Sequence, residues 1–185
     1  MGLTAILGGR FDPPHNGHVA LAQAALERFH PDRLVVLVAA KPGHKPTVLA
    51  ADKRLRLARA AFPDLDVELD EHPRTVDLLE EGRYSDPLFV VGADELADFL
   101  SWKEPDRVLE LARLGVATRP GYLRGALDRV VAQLRAPERV ELFELEPLPI
   151  ESSRLRELAA RGASIAPFVP AAVADLVENE GLYRR

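Results

Sequence analysis

The sequence predicts an α/β fold: a doubly wound, mainly parallel sheet with helices on both faces and a small helical piece at the C-terminus. Three observations predict it. Thr4 to Leu7, Leu34 to Ala40 and Leu88 to Val91 are short apolar runs without alternation, the pattern of strands buried on both faces. Segments of helical period lie between them, and strand then helix, repeated, gives a parallel sheet joined by right-handed crossovers. The chain has 185 residues, 47% hydrophobic and 29% charged, which suits one globular domain over residues 1–185 with its helical end piece in 150–185.

In chain order, the first strand is followed by a helix with Val19, Ala22, Leu26 and Phe29 on one face. After the second strand, Leu55, Ala58 and Phe62 share the face of a second helix, and Thr75-Val76-Asp77 precedes a third. Leu109 to Arg113 closes a helix before a weaker fourth strand, Leu114 to Ala117. Gly121 to Leu134 reads as a helix, and Val140 to Leu145 alternates like a strand with one exposed face. Ser153 to Ala160 and Phe168 to Val177 read as C-terminal helices, the second striped by Phe168, Val169, Ala172, Val173, Leu176 and Val177. No repeat or linker interrupts this Rossmann-like order, whose ligand is expected at the carboxyl ends of the strands.

Composition narrows the function. Without cysteine there are no disulfides, thiolate ligands or Cys nucleophiles. The longest apolar run, Leu34 to Ala40, is far short of the roughly 20 residues of a membrane span. Met1 to Leu7 has no cationic segment of a signal peptide, so a soluble, cytoplasmic protein is expected, with no membrane partner. With 24 Lys and Arg against 29 Asp and Glu, the net charge of −5 argues against a nucleic-acid partner but not against a small anionic ligand. Oligomeric state is open, a homo-oligomer being possible.

The chemistry gathers in Gly8-Gly9-Arg10-Phe11-Asp12-Pro13-Pro14-His15-Asn16-Gly17-His18. Two glycines after a first strand let backbone approach a phosphate closely, and the helix that follows offers free N–H groups and a positive dipole end. His15 and His18, three apart at the helix entrance, can donate to the same phosphate. Either histidine alone would read as a loop or core residue. A metal pair lacks a third ligand in the same turn, so no protein metal ligand is assigned.

GGRFDPPHNGH resembles the signature of the adenylyltransferases that share an H-x-G-H nucleotide-binding motif, and is similar to the HIGH motif of class I aminoacyl-tRNA synthetases. Within that superfamily, several segments resemble the nicotinate-mononucleotide adenylyltransferase family: His44-Lys45-Pro46, Thr75-Val76-Asp77, Val91-Gly92-Ala93-Asp94, Ser101-Trp102, and Thr118-Arg119-Pro120-Gly121-Tyr122. Ile150-Glu151-Ser152-Ser153-Arg154-Leu155-Arg156 is similar to its I-S-S-T-x-I-R motif, and Gly181-Leu182-Tyr183 to its closing residues.

The resemblance implies transfer of the adenylyl group of ATP to nicotinate mononucleotide, giving deamido-NAD and pyrophosphate in NAD biosynthesis. It implies that His15, His18 and Arg156 are catalytic, and that Gly8, Gly9, Phe11, Gly92, Asp94 and Ser153 join them in binding ATP. Lys45 and Arg119 would hold the mononucleotide phosphate, Thr75 and Val76 would offer backbone N–H groups to the nicotinate carboxylate, and Trp102 would stack on the pyridine. Mg²⁺ is expected with ATP, mostly through water. Asp12 suits a structural turn better than a metal. Ala40, Arg74, Lys103 and Glu151 depart from the family pattern; Arg74 and Lys103, if they point inward, would suit a carboxylate rather than an amide. The alternatives are another phosphorylated acceptor, such as nicotinamide mononucleotide or phosphopantetheine, and a non-catalytic nucleotide-binding module.

Overall fold

A computed structural model describes residues 2–42, 47–119, 124–146 and 148–184. Its elements are β1 (Thr4–Gly9), α1 (Asn16–Phe29), β2 (Arg33–Ala39), α2 (Ala51–Ala61), β3 (Asp66–Asp70), α3 (Thr75–Glu80) and β4 (Pro87–Gly92), then α4 (Ala93–Ala97), α5 (Pro105–Leu111), β5 (Arg113–Thr118), α6 (Arg124–Val131), β6 (Val140–Glu144), α7 (Ser152–Ala160) and α8 (Ala171–Asn179). The six strands form one sheet in the order β3-β2-β1-β4-β5-β6, and every pair is parallel. The chain moves outward from β1 through β2 to β3, then returns to β4 beside β1 and moves out the other way. That reversal between β1 and β4 is the switch point at which such sheets bind ligands.

Period-two alternation along the strands explains why they are apolar on both sides. Ala5, Leu7, Val36 and Val38 pack into one layer with Ala22, Ala25, Leu57 and Ala58, while Ile6, Val35 and Leu37 pack into the other with Val76, Leu96, Val108 and Leu109. The first layer belongs to α1, α2, α7 and α8, the second to α3, α4, α5 and α6.

Several expected boundaries are corrected. β3, Asp-Val-Glu-Leu-Asp, was not expected as a strand, because at the sheet edge only Val67 and Leu69 turn inward while Asp66 and Glu68 face Arg33. The short α4 was not expected either. α5 ends at Leu111, and Arg113 opens β5 instead of closing the helix. Of the helix expected over residues 121–134, α6 occupies Arg124–Val131, and residues 121–123 lie outside the described residues. In the C-terminal stripe, Val169, Val173 and Val177 are buried, whereas Phe168 sits in a separate 3-10 turn and is exposed.

The expected face of α2 is present, with Leu55, Ala58 and Phe62 packed into the first layer, and it holds more than apolar residues. With Leu57, Ala58 and Ala61 it buries Arg54, only 1% exposed. The Arg54 guanidinium donates to four carbonyls: Leu49 (3.1 Å), Arg10 (2.9 Å), Ala39 (2.7 Å) and Ala40 (3.2 Å). It thereby ties the loop after β1 to the end of β2 and the start of α2. Replacing Arg54 with Leu removes these donors and leaves buried carbonyls unpaired, at about 1–3 kcal/mol each for those that water cannot reach. Urea unfolding of Arg54→Leu is therefore expected to show a loss of about 3 kcal/mol or more; a variant as stable as the parent would refute this role.

Candidate active site

A cavity of about 680 Å³ opens at the switch point, over the carboxyl ends of β1, β4 and β5. Gly8 and Gly9 form its floor. A Cβ on Gly9 would lie 2.9 Å from the Phe11 ring, so glycine is what lets that ring fold back over the strand end. Phe11 is itself buried with φ of 51°, and its ring meets His18 at 5.1 Å and Phe62 at 5.9 Å between centroids.

The loop then enters α1 with His15 as N-cap and His18 as the third helical residue. Their rings lie 3.8 Å apart between centroids, tilted by 34°. The His15 backbone N–H donates to His18 Nδ1 (3.2 Å). His15 Nδ1 faces the His18 backbone N–H in the reciprocal arrangement of a capping box without closing a hydrogen bond, and is left as a buried unsatisfied atom. Both Nδ1 atoms thus face donors, which puts the ring protons on Nε2. Burial draws His15 down to about 4. Burial, then the neighbouring His15 and Arg10, hold His18 well below its ordinary value of 6.5. At neutral pH the pair consists of two uncharged imidazoles with one N–H donor each.

Behind this loop lies Asp12, 1% exposed. Its Oδ1 accepts from the Tyr183 hydroxyl (2.8 Å) and its Oδ2 from the backbone N–H of Val48 (2.6 Å). Its carbonyl accepts from Arg156 Nη1 (2.8 Å), and the Pro13 carbonyl accepts from Ser152 Oγ (2.9 Å). The structural role expected for Asp12 is thus filled, and its two oxygens are taken. Among the described residues no three His, Cys, Asp or Glu side chains group as metal ligands. The donors present do not fit an all-protein Mg²⁺ site.

The other expected residues divide. Gly92 and Asp94 line the cavity at the start of α4; Thr75 lines it at the start of α3, while Val76 is buried in the core. Arg119 lines it beyond β5. Trp102 lines it while packing on Phe99 (5.1 Å between centroids) and edge-on against Phe89 (6.4 Å). Arg156 reaches the site by gripping the Asp12 carbonyl, without lining the cavity. Ser153 does not line it: its hydroxyl donates to Glu151 (3.3 Å), and the residue that does is Ser152, because α7 begins one residue earlier than the sequence suggested. Lys45 lies outside the described residues. Arg74 and Lys103 both line the cavity, but Lys103 Nζ donates to Asp77 (2.7 Å) and Arg74 to the carbonyl of Pro73 (2.8 Å), so the Lys103 charge is offset by a carboxylate.

Comparisons with known proteins agree with this geometry. A family model described as cytidylyltransferase-like matches residues 6–158. Proteins named probable nicotinate-nucleotide adenylyltransferase are similar along the whole chain. That of Thermus thermophilus is 37% identical, covering 97% of this chain and 98% of its own, and that of Bordetella avium 34% identical, covering 97% and 96%. The chain belongs to the cytidylyltransferase-like family, on its nicotinate-nucleotide adenylyltransferase branch. A solved Plasmodium falciparum nicotinic acid mononucleotide adenylyltransferase complexed with NaAD has the same fold, with a TM-score of 0.80 over 99% of this chain and 98% of its own at 16% identity. No helix among the described residues is long and apolar enough to cross a membrane.

The branch pattern did not single out Arg54, Tyr183 as the partner of Asp12, or His72, although Arg54 on the apolar face of α2 was a readable signal. The histidine pair has a consequence for stability. Each ring is held neutral in the folded chain and charges near 6.5 when unfolded, so stability is retained above about pH 6.5 and lost as pH falls below it, for His15 down to about 4 and for His18 in the same direction. Melting temperatures between pH 7 and 4.5 are expected to fall less in the His15→Gln variant than in the parent; parallel curves would contradict neutral burial of His15.

Proposed function

We propose that this chain transfers the adenylyl group of ATP to the 5′-phosphate of nicotinate mononucleotide, giving deamido-NAD and pyrophosphate, a step of NAD biosynthesis. One observation carries the reading: two neutral histidines stacked at the N-terminus of α1, on a loop gripped by Arg156, at the switch point of a chain whose relatives bear this activity's name. The fold and the family supply the reaction class, and the cavity supplies room for two phosphorylated substrates.

In the transfer, a phosphate oxygen of the mononucleotide forms a bond to the α-phosphorus of ATP. The bond from that phosphorus to the bridging oxygen breaks, and its electron pair leaves with pyrophosphate. The attacking phosphate has its second pKa near 6 and is largely ionised at pH 7, so no general base is needed. What remains is to hold two anions in line and to stabilise charge on the transferring group. Uncharged His15 and His18 donate from Nε2 without the desolvation cost of buried cations. The first-turn amides of α1 point the same way. Arg156 positions the loop through the Asp12 carbonyl, its contact with the leaving phosphates resting on the resemblance alone, and Gly8, Gly9 and Phe11 shape the wall.

On the far side, Gly92 and Asp94 approach the sugars of ATP. Thr75, Trp102 and Arg119 face the mononucleotide, with Trp102 backed by Phe99 and free to stack on its cavity side. Lys45 completes this set by resemblance alone, as does Ser153 the ATP set. Mg²⁺ arriving with ATP would be held by phosphate oxygens and water, neutralising charge on the leaving group.

Purified protein given ATP and a panel of nicotinate mononucleotide, nicotinamide mononucleotide and phosphopantetheine is expected to release pyrophosphate fastest with the first. Faster release with another acceptor would overturn the substrate assignment, and none with any would favour a binding module. His18→Ala is expected to lower kcat by roughly 10²- to 10³-fold with an unchanged circular dichroism spectrum; near-normal turnover would remove His18 from the mechanism.

A further inference from the structure

His72 stands in the four-residue loop between Asp70, the last residue of β3, and Thr75, the first of α3. Its ring is bound at both ends. Nδ1 lies 2.7 Å from Asp70 Oδ1 and Nε2 lies 3.0 Å from Glu81 Oε1, while its backbone N–H donates to Asp70 Oδ1 (3.0 Å). A carboxylate only accepts, so both nitrogens must donate, which only the imidazolium can do. The same loop carries Arg74, and His72, Arg74 and Thr75 all line the cavity on the side assigned to the acceptor.

We propose that His72 is a positioning residue: as a cation clamped between Asp70 and Glu81, it fixes the loop that brings Arg74 and Thr75 to the acceptor, and its deprotonation loosens acceptor binding while sparing ATP. The proposal rests on the functional assignment above for the identity of the acceptor. The groups facing the ring are Asp70 from β3 and Glu81 beyond α3. Behind them, Arg83 lies 3.7 Å from Glu81 and 3.4 Å from Glu68. Tyr84, pushed up to about 12 by burial, then by Glu68, stays protonated throughout.

A neutral ring keeps one N–H and turns a lone pair to the other carboxylate, which breaks one arm of the clamp. The hydrogen bond to Asp70, with a smaller one to Glu81, raises His72 above its ordinary 6.5. A raised pKa places the clamp fully below about pH 6.5, and it is lost as pH rises through the folded value. His15 and His18 are already neutral there, and substrate phosphates are ionised above about pH 7, so among the described histidines that line the cavity the window belongs to His72.

The test follows KM for nicotinate mononucleotide and for ATP between pH 6.5 and 9 in the parent and in Glu81→Gln, with His72 titrated by NMR of its ring carbon in both. Acceptor KM is expected to rise roughly three- to tenfold, the range of one lost exposed charge-assisted bond, while ATP KM stays level. Glu81→Gln, which removes one charge and keeps an acceptor, is expected to move that rise and the ring titration together to lower pH. His72→Arg, a cation with two donors that does not titrate here, is expected to give a flat acceptor profile. A flat parental profile, equal movement of both KM values, or an unmoved midpoint in Glu81→Gln would overturn the proposal. Absence of turnover with the acceptor at every pH would instead fail the functional assignment. The ring titration then decides the clamp alone: a value at or below 6.5 overturns it, and a raised value lowered by Glu81→Gln sustains it.

Discussion

The buried carboxylate of Asp12 is the constraint on which the rest of the site depends. A carboxylate out of water is tolerated only when its oxygens are satisfied and a cation is near. Here Tyr183, at the end of the chain, and the backbone of Val48, before α2, donate to it, while Arg54 stands close enough to feel its charge. Tyr183 is held in its protonated form by burial and by Asp12, so it can only serve as the donor in this pair. The carbonyl of the same residue is gripped by Arg156 from α7. One residue in the phosphate loop thus joins segments from the beginning, the first third and the end of the chain, and the loop can bury Phe11 and present its two histidines in a fixed place.

This arrangement resolves the apparent conflict between an acidic protein and anionic substrates. The net charge of −5 describes the surface, much of it laced into ion pairs such as Arg33 with Asp66 and Glu68 or Arg107 with Glu80 and Glu110. At the loop after β1 the cavity is lined by the uncharged imidazoles of His15 and His18, which keep their donors without carrying buried charge, with Arg10 beside them. Elsewhere the lining mixes Asp94, Glu95 and Asp98 with Lys41, Arg74, Lys103 and Arg119, so the cavity does not share the net acidity of the chain.

Much of this was legible in the chain itself because central strands and the phosphate loop announce themselves: uniform apolar runs need burial on both faces, and a strand leading into paired glycines and a helix makes an anion site. What was illegible depended on tertiary partners. β3 carries three acidic residues in five and becomes a strand only because β2 pairs with it and Arg33 neutralises its outer face. Arg54 shows by its spacing with Leu57, Ala58 and Ala61 that it lies on the buried face, but the carbonyls of three segments that it binds come together only in the fold. Ser152 and Ser153 differ by one helix position, finer than a capping pattern resolves, and that position decides which hydroxyl meets the phosphate loop.

Through Asp12, the position of Tyr183 is coupled to the loop that carries His15 and His18. A double-mutant cycle of Asp12→Asn and Tyr183→Phe, read as kcat/KM for ATP, tests it most directly. Tyr183 does not line the cavity, so a purely local account leaves Tyr183→Phe near parental activity and the two effects additive. The account predicts instead that Tyr183→Phe alone lowers kcat/KM, and that the double variant loses little more than Asp12→Asn. Additive losses, or an unaffected Tyr183→Phe, would contradict it.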